Sequence, residues 1–117
     1  MRALLALRVR PTAVVCANDV IAAGAIFECQ RQDIDVPGDV SITGFGGLEI
    51  GTATAPAITT VHTPVDVMGQ RAAHYLLARL NGADSTLQEL LATDIIERGS
   101  SARHAGIAKA RRSSKAI

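Results

Sequence analysis

The chain has 117 residues, 48% of them hydrophobic and only 3% aromatic. That is enough for one ordinary domain with an aliphatic core of Ala, Val, Ile and Leu. Net charge is +1 but unevenly spread, with five bases and no acid in residues 101–117 against seven bases and eleven acids in residues 1–100. A mildly acidic body argues against nucleic-acid binding by that body, and no apolar run reaches the roughly 18 residues that span a bilayer.

In chain order, Met1–Arg10 holds a five-residue apolar stretch, Ala3 to Leu7, followed at once by arginines. It is too short for the apolar region of an export signal and reads as the end of a helix stopped before Pro11. Thr12–Ala17 reads as a buried strand that runs into the polar pair Asn18-Asp19. A helix follows from Asp19 to about Gln32, with Val20, Ala23, Gly24 and Phe27 at helical spacing on one face. Gln32–Asp39 is a turn segment, and Val40–Phe45 a second strand leading into Gly44-Phe45-Gly46-Gly47. Leu48–Ala53 reads as a loop or short helix. Ile58–His62 is a third, β-branched strand. Pro64 opens a helix over Val65–Leu80 that stops at Asn81-Gly82. After a polar link at 83–88, Leu90–Arg98 reads as two short strands broken near Thr93. From Gly99 onward no core pattern is visible, and residues 101–117 are expected to be a disordered basic tail. Strands alternating with helices imply an α/β fold with a parallel sheet.

A strand-to-helix junction places its polar residues at the carboxyl end of a parallel strand, where open α/β sheets bind small ligands. Asp19 has a structural reading there, as the cap of the helix it precedes. The Asn18 amide both donates and accepts, so it suits a ligand hydroxyl. Cys16 and Cys29 form no CxxC pair and read as two buried thiols in a reducing compartment. His62 and His74 stand apart from any metal-ligand spacing, so no metal and no cofactor are expected. The glycine stretch fits neither GxGxxG, whose sixth place is Glu49, nor a phosphate loop with Gly-Lys-Ser/Thr. Ser41 and Ser85 lack a strong nucleophile motif, so no enzymatic activity is expected.

Residues 11–100 carry a series of motifs in fixed order. They are Pro11–Asp19, Ala22-x-Gly24-Ala25, Val36-Pro37-Gly38-Asp39-Val40-Ser41, Gly44-Phe45, Ile58–Val61, Met68-Gly69-Gln70-x-Ala72 and Leu76-Leu77-x-x-Leu80. In this order they resemble the C-terminal end of the LacI/GalR family of bacterial transcription repressors. The resemblance implies an incomplete, periplasmic-binding-protein-like lobe. Residues 11–63 would belong to the C-terminal lobe of an effector-binding domain. Residues 64–92 would cross over and pack on a missing N-terminal lobe, and residues 93–100 would return as a strand. It further implies a small-molecule effector, a sugar or nucleobase, with Asn18, Phe45, Gly46 and Val65 as candidate effector-binding positions. The family usually has an aspartate where this chain has Gly46. Loss of that acceptor would cost a sugar hydroxyl roughly 1.5–3 kcal/mol, ten- to hundredfold in affinity. A homodimer is implied, with Ile21, Ala25, Glu28 and Gln32 facing the partner. Operator DNA would be reached only through an absent N-terminal helix-turn-helix, and the expected compartment is the cytoplasm. Two competing readings are a fragment of a sugar importer's solute-binding protein and a gene remnant without function. The chain alone is expected to be marginal, aggregation-prone or dimeric, because its second long helix needs a partner.

Overall fold

The sheet grows from short aliphatic segments that pair in chain order. A computed structural model describes residues 1–83 and 88–104. Its elements are α1 (Arg2–Leu5), β1 (Ala13–Val15), α2 (Asp19–Arg31), β2 (Ser41–Gly46), α3 (Ile50–Ala53), β3 (Thr59–His62), α4 (Val65–Leu80) and β4 (Asp94–Ile96). The strand order is β1-β2-β3-β4. The β1/β2 and β2/β3 pairs are parallel, and β4 runs antiparallel to β3. Parallel neighbours need a crossover, which α2 supplies between β1 and β2.

Side chains alternate across the sheet. Val14, Ile42, Gly44 and Thr60 share the face that α2 covers. The core there is Ala22, Ala23, Ala25, Ile26 and Cys29 of α2 with Val40, Ile42 and Ile58. Small residues let helix and sheet approach closely, as an aliphatic, aromatic-poor composition requires. On the other face Val15, Phe45 and Ile95 are exposed. With Thr43 and Val61 they line an open cavity of about 280 Å³.

Several sequence expectations need correction. The inner face of α2 is set by Ala22, Ala23, Ala25, Ile26 and Cys29, whereas Val20 and Phe27 are exposed. The helix is apolar nearly all round, so spacing alone could not choose the face. Ala25, expected toward a partner, is buried in the core. The first helix ends at Leu5, well before Pro11. Only one strand forms in 90–98, Asp94–Ile96, and Leu90 is fully exposed.

The chain after β4 is ordered by hydrogen bonds through Ala102. Ser100 is fully buried and sits at the amino end of the β2/β3 ladder. Its Oγ donates to the Ile42 carbonyl at 2.5 Å and accepts the Thr59 N–H at 2.9 Å. Its backbone carbonyl accepts from the Ile42 N–H at 2.8 Å. Thr59 Oγ1 lies 2.7 Å from Ser101 Oγ, and the Ala102 N–H donates to Ser41 Oγ at 3.1 Å. Residues 101 and 102 therefore belong to the fold, contrary to the expectation for the tail. Residues 105–117 of that expected tail and part of the expected link, 84–87, lie outside the described residues. No described helix is long and apolar enough to cross a membrane.

Candidate functional site: the carboxyl edge of the sheet

β1 ends on Val15, and the chain turns through Cys16 and Ala17 into α2. Asn18 is extended, with φ −157° and ψ 172°, and is the residue that caps the helix. Its Oδ1 accepts the Ile21 N–H at 2.8 Å. This corrects the capping role expected of Asp19. The cap occupies one lone pair of Oδ1 and leaves both Nδ2 protons uncommitted to it.

Asp19, one residue on, is fully buried. Its carboxylate Oδ2 accepts the Leu48 N–H at 2.6 Å, and Oδ1 accepts from Thr60 Oγ1 at 2.6 Å. The carboxylate thereby joins the start of α2 to the turn after β2 and to β3. Gly44 of β2 is required by this arrangement, because a Cβ there would collide with the Asp19 carboxylate. Gly46 and Gly47 follow with positive φ, +115° and +71°, which side chains on L-residues resist. The Gly47 N–H donates to Thr60 Oγ1 at 3.3 Å, and the Gly46 carbonyl accepts from Thr63 Oγ1 at 3.4 Å. Successive backbone N–H groups in such a turn suit an anion. Here the Leu48 N–H already holds the chain's own carboxylate.

Of the candidate effector positions, Asn18 and Gly46 lie at the carboxyl ends of adjacent, parallel β1 and β2. Phe45 is 46% exposed and lines the cavity on the open sheet face with Val61 and Ile95. Val65 is the exposed first residue of α4. A cavity of about 670 Å³ lies beside β1 and is lined by Met1, Val14, Ile21 and Glu28 among others, but by none of the four candidates. Its location reflects an unpaired strand edge rather than a site with convergent polar groups.

Cys16 and Cys29 are buried free thiols, and burial pushes both thiols up from their ordinary value. That keeps them protonated and poorly nucleophilic. His62 and His74 are exposed. Among the described residues no group of three His, Cys, Asp or Glu is placed to hold a metal ion.

Thr60, Ser100 and Arg98 were not singled out by the sequence. Arg98 donates from Nη1 to the Ile58 carbonyl at 2.9 Å. Thr60 carried a faint signal, a polar residue on the inward-facing register of a β-branched strand. Ser100 carried none, since it sits in a polar, low-pattern stretch.

A mostly parallel sheet with a polar junction at its carboxyl edge defines a lobe of the periplasmic-binding-protein type. Residues 1–101 match the family described as periplasmic binding protein-like domain. The chain belongs to that family, and within it to the LacI-type effector-binding domains. It is 35% identical over 99 residues to the lactose operon repressor of Rhizobium radiobacter, covering 85% of this chain and 88% of that protein. It is 32% identical to a LacI family transcriptional regulator of Bifidobacterium animalis subsp. lactis DSM 10140 of known structure, with a TM-score of 0.82, covering 89% of this chain and 38% of that one. A third likeness is to the transcriptional regulator CelR in complex with cellobiose, 26% identical with a TM-score of 0.74, covering 77% of this chain and 28% of that one. The chain thus spans little more than a third of the first solved regulator and less of the second.

Proposed function

We propose that this chain is the C-terminal part of the ligand-sensing domain of a LacI-type transcriptional regulator, where it forms one wall of the effector site. The observation that carries the reading is the placement of Asn18 and the Gly46–Gly47 turn at the same carboxyl edge, on neighbouring parallel strands. Asn18 offers donors to a ligand hydroxyl or ring nitrogen. Gly46 exposes backbone without a carboxylate, so the effector relies on other groups for the missing acceptor. Phe45 and Val65 would add apolar contact. The cellobiose held by the CelR relative supports a sugar as one effector class.

In the whole regulator α4 would cross to an N-terminal lobe and β4 would return from it. Effector binding between lobes would change their arrangement and so the affinity of a dimer for operator DNA, read by a separate helix-turn-helix in the cytoplasm. The chain performs binding rather than catalysis in this reading. The test is the genomic sequence immediately upstream of codon 1. A helix-turn-helix and an N-terminal lobe there, in frame or displaced by a lesion, are expected. An export signal or lipobox would instead favour a solute-binding protein of an importer.

A further inference from the structure

We propose that Asp19 is the positioning residue of this edge: its buried carboxylate fixes the Gly46–Leu48 turn relative to Asn18. The argument starts from cost. An ionised carboxylate removed from water is strongly disfavoured unless it is hydrogen-bonded. Asp19 is fully buried, yet the helix it begins does not need it, since Asn18 already caps α2. Its two oxygens go elsewhere, one to the Leu48 N–H and one to Thr60 Oγ1. Thr60 Oγ1 in turn receives the Gly47 N–H.

At its start the turn is also held by the ladder pairing of Gly46 with His62 and by the Thr63 hydroxyl on the Gly46 carbonyl, whereas the Leu48 N–H is held by Asp19. Gly46 and Gly47 adopt positive φ and gain no stiffness from side chains. The missing Cβ of Gly44 is what lets the carboxylate reach across the strand. Asp19 is thus the shared point of three segments that converge on the ligand edge. Being unexposed, it touches no ligand and acts only through the backbone it holds. Its relevance to ligand binding rests on the proposed effector site, whereas the clamp stands on the hydrogen bonds alone.

Hydrogen–deuterium exchange of the 117-residue chain, resolved by peptide mass spectrometry, tests it with no ligand present. Asp19→Asn keeps an acceptor for the Leu48 N–H and a partner for the Thr60 hydroxyl, but makes both bonds neutral. The peptide covering 44–49 is expected to exchange about tenfold faster, as the loss of charge assistance implies. Peptides from β1 and the middle of α2 are expected to keep their wild-type rates. Thr60→Val removes one arm and is expected to accelerate the same peptide; it decides the matter alone if Asp19→Asn does not fold. Unchanged exchange in 44–49, or equal acceleration in every peptide, would overturn the proposal. A failed effector assignment would leave the exchange result intact.

Discussion

Glu28 shows how much one surface carboxylate can gather. It accepts from Arg2 Nε at 3.0 Å, Arg31 Nε at 3.1 Å and Gln32 Nε2 at 2.6 Å. The Arg2 guanidinium, then Arg31 and Gln32, hold its carboxyl down from 4.5 to about 2. A depressed carboxyl stabilises the fold above its unfolded value, and that contribution fades as pH falls toward the folded value. The stability difference between wild type and Glu28→Gln is therefore expected to be constant at neutral pH, to shrink below about pH 4.5 and to vanish near pH 2, as read by urea denaturation across pH. A difference independent of pH would contradict the ion-pair assignment. At the same scale, the Asn18-Asp19 pair was legible as important, but its roles were not. Either side chain can cap a helix, and only the position of Thr60 and of the Leu48 N–H decides which carboxylate goes inward. Those partners lie 41 and 29 residues away, beyond the reach of local pattern.

The elements divide into a well-packed α2 and an uncovered α4. The span Val65–Leu80 was readable to the residue, because Pro64 and Asn81-Gly82 bracket it. Its apolar face reads as Val67, Ala72, Leu76 and Leu80, and all four are exposed, as are Val65, Met68 and Leu77. No residue of α4 is buried. An isolated helix of this length is marginal in water. Amides of α4 are accordingly expected to exchange faster than those of α2, and comparable protection of the two would show that α4 is covered in solution, for instance by a second copy. The segment after β4 behaves in the opposite way. Its polar residues carry no periodicity, yet Ser100 completes the hydrogen bonds at the start of β2 and β3. Ser100→Ala would strand the Thr59 N–H and weaken the Ile42 carbonyl pairing, a loss of about 1–3 kcal/mol by chemical denaturation. A neutral substitution would mean that water replaces the hydroxyl.

For the molecule as a whole, the alternation of strand and helix implied the parallel pairing now seen between β1, β2 and β3, because parallel neighbours need a crossover, but it did not give the strand order. The antiparallel direction of β4 was not legible, since Leu90–Arg98 carries no signal for direction. The open sheet face bearing Val15, Phe45 and Ile95, the bare edge of β1 and the uncovered α4 share one explanation. In the proposed reading these residues would make one wall of a two-walled binding domain, and the surfaces that look unfinished would be those a second lobe and further strands meet. A cleft with one wall cannot enclose a small polar ligand or exclude water from its hydrogen bonds. The most direct test is titration calorimetry of the 117-residue chain against glucose, ribose, cellobiose and hypoxanthine. The account predicts no saturable heat up to millimolar ligand. Stoichiometric binding at micromolar Kd, abolished by Asn18→Ala, would contradict it by showing that this chain completes the site unaided.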